Sequence, residues 1–200
     1  MFHPKVIGIT GIFGSGKTTV SSILKKNKIP VISSDEIVHK IIETSKIKKL
    51  LVKKFGKEIL TSENKIDRKK LAEIVFSNKK KKMDLEKIIH PLVFEQIKRK
   101  IFDFKKRGCK IISVEIPLLY ETKSEKYFDK ILVVYTHPDK IKERLKGKFT
   151  NKEIERRWKF QLPQKIKIKK ADFVVDNSGS YLKTKNQVKN VINLLKNLRH

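Results

Sequence analysis

Short runs of valine and isoleucine alternate along this chain with longer stretches in which apolar residues recur at helical spacing. The apolar runs predict five strands, at residues 6–9, 31–32, 111–114, 131–134 and 173–175. Continuous apolar runs are typical of a parallel sheet that helices cover on both faces. In such a sheet the ligand binds beyond the carboxyl ends of the strands. The site candidates therefore follow the strands, at residues 11–18, 33–35, 115–117, 136–137 and 176–177.

The stretch between the second and third predicted strands has helical periodicity. Apolar residues recur at helical spacing within residues 36–42, 47–55, 69–76 and 92–104. A single crossover helix needs far fewer residues, so this stretch predicts a helical insertion. Its lysine run, residues 79–82, is expected to be a solvated turn or helix face.

The end of the chain predicts a helix that packs on the sheet. Its apolar residues recur at helical spacing: Val188, Val191, Ile192, Leu195 and Leu198. One apolar stripe of this kind is the face that an amphipathic helix buries.

A glycine-rich segment directly follows the first predicted strand. It reads Gly11-Ile-Phe-Gly-Ser-Gly-Lys-Thr-Thr19 and meets the phosphate-loop pattern through Gly11, Gly16, Lys17 and Thr18. Glycines let successive backbone N–H groups turn toward phosphate oxygens, and the following helix presents its positive end. A glycine-rich turn before any helix would mimic part of this pattern. Three of the chain's 8 glycines fall inside this window, however, which favours a nucleoside triphosphate site.

Each part of the loop has an expected role. Lys17 would reach the β and γ phosphates, and Thr18 would offer its hydroxyl to Mg²⁺ bound with ATP. The predicted ATP-binding residues of the loop are Gly11, Ile12, Phe13, Gly14, Ser15, Gly16, Lys17, Thr18 and Thr19.

Together these features predict an α/β chain with the P-loop nucleoside-triphosphate-hydrolase-like fold. A five-stranded parallel sheet flanked by helices would carry a helical insertion and a short lid. The core is assigned to residues 1–35, 108–145 and 171–200, and the insertion to residues 36–107. Residues 146–170 are basic and lack a dense apolar stripe, which predicts a mobile lid over the triphosphate.

Composition limits the class of protein. Apolar residues make up 38% of the chain, enough for one core. No segment approaches 18 consecutive apolar residues, and no apolar region resembling a signal peptide precedes the first strand. The single cysteine, Cys109, cannot form an internal disulfide. We therefore expect a cytoplasmic protein with no membrane partner, acting as a monomer or weak homo-oligomer.

The net charge of +28 raises the question of nucleic-acid binding. Only 7 of the 49 basic residues are arginine, and the lysines are scattered along the chain. This pattern indicates a compositional bias that fills solvated faces, so no specific nucleic-acid partner is expected. Weak, sequence-independent binding at low salt is expected from the charge alone.

Two carboxylates end predicted strands. Asp35 would orient an acceptor hydroxyl at the transferred phosphoryl group, or it would simply cap the following helix. Glu115 would help to hold Mg²⁺ through water, or it would take part in a buried ion pair.

Arginine is so scarce that Arg144, Arg156 and Arg157 stand out as groups able to neutralise charge on a transferred phosphoryl group. Most surface arginines are merely solvated, which is the alternative for each of them. At His90-Pro91 the proline would end or kink a helix, and the histidine would merely fill that boundary.

Taken together, these residues resemble the dephospho-coenzyme A kinase family, which phosphorylates the ribose 3′-hydroxyl of dephospho-CoA with ATP. The most specific match is Ile116-Pro-Leu-Leu-Tyr-Glu121, and the resemblance extends over nearly the whole chain. Weaker matches are Ile32-Ser-Ser-Asp35, Phe55-Gly56, Ile66-Asp-Arg68 with Leu71, Leu85-Glu86 through His90-Pro91, Ala171-Asp172 and Asp176-Asn177-Ser-Gly179.

The resemblance implies further roles for particular residues. Asp35 would be the catalytic carboxylate, assisted by Lys17, Arg144 and Arg157. The residues implied on the acceptor side are Arg68, His90, Pro117 and Leu118, with the helical insertion as the CoA-binding region. The residues implied near the adenine are Asn177 and Gly179.

Three positions depart from the family pattern. Glu115 stands where the family often has aspartate, and Lys140 where glutamine is common. Lys148 stands where a second arginine is common, and lysine cannot give the same bidentate fork to phosphate. Two alternatives to this family are another nucleoside or nucleotide P-loop kinase and a nucleic-acid-binding ATPase.

Overall fold

The structure is a computed structural model that describes residues 3–76 and 78–197. Its strands are β1 (Lys5–Thr10), β2 (Val31–Ser33), β3 (Ile111–Glu115), β4 (Lys130–Tyr135) and β5 (Phe173–Asp176). Its helices are α1 (Lys17–Lys26), α2 (Ser34–Ile42), α3 (Ser45–Phe55), α4 (Arg68–Phe76), α5 (Lys79–Lys106), α6 (Pro138–Leu145), α7 (Asn151–Lys159), α8 (Gln164–Lys169) and α9 (Tyr181–Asn197). The chain divides into two units, Met1–Ile32 with Ile101–His200 and Ser33–Lys100.

The five strands form one parallel sheet in the order β2-β3-β1-β4-β5. Each predicted strand is confirmed, and each reaches one residue further at its carboxyl end, because backbone pairing continues past the last apolar side chain. In the register, Ile9 of the central strand lies opposite Glu115 of β3 and Leu132 of β4. The loop that follows β1 therefore leaves the middle of the sheet, between the ends of β3 and β4.

The core of the first unit lies between the sheet and two helices. Helices α1 and α9 pack on each other, and α9 also packs on β5. The predicted stripe of α9 is confirmed at Val188, Val191, Ile192 and Leu195, which are all buried, whereas Leu198 lies outside the described residues. A second apolar cluster joins the loop after β1 to the segment after β4, and its members are Ile12, Phe13, Ile141, Leu145, Phe149, Ile154 and Trp158.

The second unit is built from helices with clear start and stop signals. The Ser33 hydroxyl accepts a hydrogen bond from the Glu36 N–H at 3.3 Å, which caps α2. Helix α3 ends at Gly56, whose φ of 94° is accessible to glycine but strained for other residues. Buried residues on these helices include Ile37 and Leu51, so the predicted helical insertion has its own apolar interior.

Helix α5 decides between the two alternatives that the sequence left for the lysine run, and it shows that Pro91 does not end a helix. The lysine run belongs to the helix, because the Asn78 side chain accepts from the N–H groups of Lys80 and Lys81 at 2.9 and 3.1 Å and starts it there. The helix also continues through Pro91. A proline inside a helix removes one backbone hydrogen bond and does not by itself end the helix. Within the described part of the chain, no helix has the length and apolar character needed to cross a bilayer.

Candidate active site

The glycine-rich segment after β1 forms a tight loop at the start of α1. Gly14 and Gly16 have φ angles of 81° and 84°, which L side chains rarely adopt. The Ser15 N–H donates to the Ile12 carbonyl at 3.1 Å and closes the turn. Successive backbone groups are thus folded into the concave arrangement that binds anions.

Lys17 is the first residue of α1, and its side chain reaches back over the loop. Its Nζ donates to the carbonyl oxygens of Gly11 and Ile12 at 3.1 and 3.2 Å. Thr18 follows it on the exposed side of the helix start. The loop therefore brings a flexible cation, a hydroxyl and a helix N-terminus to one place, which is the set of groups that a triphosphate needs.

Glu115, at the end of β3, is tied to the helix that the loop opens. Buried Ser21 of α1 donates to Glu115 Oε2 at 2.7 Å, and the carboxylate is half-buried. The contact seen here is with a neutral hydroxyl, and both roles expected of Glu115, a metal contact through water and a buried ion pair, stay predictions. The hydrogen bond fixes the carboxylate beside the start of α1.

The turn after β3 is anchored from two other elements. The Pro117 carbonyl accepts from Thr10 Oγ1 at 3.1 Å and from Lys167 Nζ at 3.2 Å. Lys167 also pairs with Glu121, which accepts the N–H of Leu162 at 2.7 Å. Pro117 and Leu118 themselves are half-buried. The most family-specific motif is therefore a turn whose shape depends on residues near the end of the predicted lid.

The predicted lid segment contacts the phosphate loop through Phe13. The Phe13 N–H donates to Gln161 Oε1 at 2.7 Å, and its carbonyl accepts from Trp158 Nε1 at 3.0 Å. The Arg157 guanidinium lies over the rings of Phe13 and Phe149, 4.9 and 4.4 Å from their centroids. Arg157 is exposed, so its charge stays available at the edge of the loop.

The loop after β5 contacts both α6 and the phosphate loop. Arg144 of α6 lies 3.4 and 3.5 Å from the carbonyl oxygens of Ser178 and Gly179. Asn177 is buried and donates from Nδ2 to the Ser15 carbonyl at 3.1 Å. Asn177 and Gly179, which the family resemblance implied near the adenine, therefore lie in a loop that contacts the phosphate loop and a candidate arginine.

The second unit carries the remaining predicted residues. Asp35 is exposed in the first turn of α2, and it is not the N-cap, because Ser33 is. The simple capping role left open by the sequence is therefore wrong for Asp35. Arg68 at the start of α4 is exposed, and its Nη1 lies 2.7 Å from Nε2 of His39, one turn after Asp35 on α2. His90 is half-buried within α5.

Sequence reasoning missed several contacts that shape this site. Their residues are Ser21, His39, Trp158, Gln161, Lys167 and Thr184. Trp158 carried a usable signal, since it is the chain's one tryptophan and lies one residue after Arg157. The others are polar types in a polar chain, and only the tertiary structure shows which residues they contact.

Comparison with known proteins adds independent information. The family model described as dephospho-CoA kinase matches residues 5–183. A dephospho-CoA kinase from Bacillus cereus is 37% identical over 190 residues, covering 94% of this chain and 95% of that protein. One from Aquifex aeolicus is 39% identical over 189 residues, covering 94% of this chain and 95% of that protein.

A solved structure agrees with these relatives. The dephospho-CoA kinase from Campylobacter jejuni superposes with a TM-score of 0.70 at 31% identity, covering 96% of each chain. The match confirms the predicted P-loop kinase fold over almost the full length. With the family model covering most of the chain and relatives above 30% identity, the chain belongs to the dephospho-CoA kinase family.

Proposed function

We propose that this chain transfers the γ-phosphoryl group of ATP to the ribose 3′-hydroxyl of dephospho-CoA, which gives CoA in the last step of coenzyme A biosynthesis. Family membership supports the reaction. The observation that carries the chemistry is the Lys17 ammonium held over the phosphate loop by the Gly11 and Ile12 carbonyls. From that place the ammonium would reach the phosphates of a bound triphosphate by a movement of the lysine side chain.

On the donor side, we assign the phosphates of ATP to the loop from Gly11 to Thr19. Its N–H groups and the N-terminus of α1 would receive the phosphate oxygens. Lys17 would leave its two carbonyl contacts for the β and γ phosphates, where a point charge is worth more than at a neutral carbonyl. Arg144 and Arg157 would neutralise the charge that spreads over the transferred group.

The residues present fit a Mg²⁺ ion bound with ATP. The Thr18 hydroxyl and the Glu115 carboxylate are the hard oxygen ligands that Mg²⁺ prefers, and Ser21 holds that carboxylate beside the helix start. Mg²⁺ commonly keeps several waters, so we assign Glu115 a contact through water. When bound, the ion would offset the negative charge of the phosphates.

On the acceptor side, we assign Asp35 to orient the 3′-hydroxyl and accept its proton. Phosphoryl transfer through a loose transition state needs positioning more than early proton removal, and a carboxylate of ordinary basicity suffices for that. The basic side chains of Arg68 and His90, with Pro117 and Leu118, would bind dephospho-CoA. Residues 36–107 would then be the acceptor-binding region.

Residues 146–170 would act as the lid. Trp158 and Gln161 hold this segment to Phe13 of the phosphate loop, so movement of the loop and of the lid would be coupled. Closure would exclude water, which limits hydrolysis of ATP.

The Cys109 thiol is free, which supports a reducing compartment, and we therefore propose that the enzyme works in the cytoplasm.

The deciding experiment is a coupled assay of ADP release with Mg-ATP and a panel of acceptors. Dephospho-CoA is expected to be turned over far faster than nucleoside monophosphates, nucleosides or water, with CoA identified by mass spectrometry. Faster turnover of a nucleoside monophosphate, or ADP release stimulated by DNA or RNA, would refute the proposal.

A pair of lysine variants ties the activity to this site. Lys17→Ala should lower turnover by at least about a hundredfold, as loss of a preorganised charge commonly does. Lys25→Ala, an exposed lysine on the same helix, is the matched control and should keep normal turnover.

A further inference from the structure

The Asn177 side chain is enclosed by protein groups. The residue is 5% exposed, and its backbone N–H donates to the Tyr135 carbonyl at 2.8 Å. Its Nδ2 lies 3.1 Å from the Ser15 carbonyl oxygen, and its Oδ1 lies 3.0 Å from Thr184 Oγ1. Both ends of the amide are therefore engaged within the protein.

The direction of this amide follows from its partners. A carbonyl oxygen only accepts hydrogen bonds, so the NH₂ group of Asn177 must face Ser15. The Thr184 hydroxyl, which also lies 3.3 Å from the Ser180 carbonyl oxygen, then donates to the nearer Oδ1. Thr184 is fully buried on α9, which means that it cannot touch a ligand and that its role is to orient Asn177.

The Ser15 carbonyl has a second donor. The hydroxyl of Thr136, which follows β4, lies 2.8 Å from the same oxygen and 2.8 Å from the Tyr135 carbonyl oxygen, so these two acceptors share its one proton. Residues at the ends of two neighbouring strands thus hold one carbonyl of the phosphate loop. In a trans peptide the C=O and the next N–H point in opposite directions, and the described chain contains no cis peptide. Holding the Ser15 carbonyl therefore directs the Gly16 N–H away from Asn177.

The loop lies directly against this amide. A Cβ atom added to Gly16 would lie only 2.0 Å from Asn177 Nδ2. Gly16 also has a φ of 84° and ends the loop as the residue before α1. The Ser15–Gly16 peptide thus has little room to rotate as long as the Asn177 amide is in place.

We infer that Asn177 is a positioning residue for the phosphate loop, holding the Ser15–Gly16 peptide so that the Gly16 N–H faces the phosphates. This inference rests on the proposed ATP binding, and it departs from the role near the adenine that the family resemblance implied. A residue that acts on the loop affects every triphosphate equally, whereas a residue that touches the base discriminates between bases.

The test measures binding of Mg-ATP, Mg-GTP and Mg-tripolyphosphate by titration calorimetry. Asn177→Ala should weaken the binding of ATP and of tripolyphosphate alike by about tenfold, the size expected for losing one well-placed hydrogen bond. The ratio of ATP to GTP affinity should stay the same. Thr184→Val should also weaken the binding of both ligands, by a smaller factor. Thr184→Ser keeps the hydroxyl and should bind both ligands as the wild type does.

Gln187→Ala is the matched control. The Gln187 amide bonds the backbone N–H and carbonyl of Asp176 at 2.9 and 2.8 Å, so it anchors the same strand end from the same helix. Gln187→Ala should lower the melting temperature of the protein without weakening the binding of tripolyphosphate. A general effect of loosening β5 would instead weaken phosphate binding in both Gln187→Ala and Thr184→Val, and would overturn the inference.

Three further results would overturn it. Weaker ATP binding by Asn177→Ala with unchanged tripolyphosphate binding would indicate a base contact, and so would an altered ratio of ATP to GTP affinity. The third result is unchanged binding of ATP and tripolyphosphate by Thr184→Val. Because these measurements use no acceptor, failure of the wild-type protein to phosphorylate dephospho-CoA would refute the proposed function and leave this inference testable.

Discussion

The Lys167 ammonium lies 2.8 Å from Oε1 of Glu121, and the lysine side chain is fully buried. Lys167 belongs to α8, and Glu121 ends the turn after β3 that carries the Ile-Pro-Leu-Leu-Tyr-Glu motif. The same ammonium donates to the Pro117 carbonyl at 3.2 Å. One buried cation thus fixes both ends of the turn to which we assign acceptor binding.

Removing this cation should destabilise the protein strongly. Lys167→Met leaves the Glu121 carboxylate without its buried partner, and such changes typically cost about 3–5 kcal/mol of unfolding free energy. Lys165→Met, an exposed position on the same helix, should change the stability by less than about 0.5 kcal/mol. Urea denaturation of both variants tests this. Equal losses of unfolding free energy would show that the ion pair contributes no more stability than an exposed lysine does.

The pair also predicts a pH dependence at the alkaline side. Burial lowers the pKa of Lys167, although Glu121 partly opposes the shift. Between the lowered pKa and the ordinary lysine value of about 10.4, the unfolded chain binds the proton that the folded chain has lost. Stability contributed by this residue therefore rises with pH in that window.

The measurement is a difference between variants, since other lysines and the tyrosines titrate in the same range. The unfolding free energy of wild type minus that of Lys167→Met should increase from neutral pH to about pH 10.4. The same difference with Lys165→Met should stay flat. A decrease in the first difference would mean that the pKa of Lys167 is raised rather than lowered.

The fold was predictable because its signals are local. Each strand is an apolar run, and the phosphate loop is a contiguous motif whose glycines adopt positive φ angles. Lys167 was not predictable, because it lies in a lysine-rich segment and its partner Glu121 is 46 residues away. Nothing local distinguishes a buried lysine from its solvated neighbours.

The candidate site could be proposed from the sequence where chemistry constrains the residue types. Lys17, Thr18 and Glu115 follow from what a triphosphate and a metal require. Asn177 was found by position and motif, but its contact with Ser15 depends on how β5 ends beside the loop, which no spacing records. The start of helix α5 was not predictable, because its cap, Asn78, precedes a lysine run that lacks an apolar stripe.

Replacing Arg157 by lysine separates the effect of the planar shape of the guanidinium from the effect of its charge. Its planar guanidinium stacks over Phe13 and Phe149, and lysine keeps the charge but loses the flat face. Arg157→Lys should lower turnover by about tenfold to a hundredfold, less than the roughly hundredfold to thousandfold loss for removing a preorganised donor outright, because the charge remains. Arg156→Lys, the exposed neighbour on α7, should keep turnover within about twofold. Equal activity of both variants would remove Arg157 from the catalytic assignment.

The net charge of +28 predicts only a weak and nonspecific interaction with nucleic acid. If the lysines only fill solvated faces, binding to duplex DNA should be weak, independent of sequence and steeply lost as salt rises toward about 0.15 M. Fluorescence anisotropy with two unrelated duplexes at several salt concentrations measures this. Tight binding to one of the duplexes at the highest salt would indicate a dedicated site.

Asp35 provides the sharpest test of the acceptor side. Ser33 caps α2, so Asp35→Asn removes only a first-turn charge that is worth about 0.3–1 kcal/mol through the helix dipole. Glu36→Gln removes the neighbouring exposed charge of the same turn and is the matched control for that electrostatic loss. If Asp35 accepts the hydroxyl proton, Asp35→Asn should lower turnover by roughly two to four orders of magnitude, with both substrates still bound, while the turnover of Glu36→Gln stays near wild type.

If Asp35→Asn kept more than about a tenth of wild-type turnover with dephospho-CoA, that result would contradict a general-base role, whose loss costs at least about a hundredfold. Glu115→Gln would then be the next variant to test, because Glu115 is the other carboxylate at the end of a strand, fixed beside the phosphate loop by Ser21.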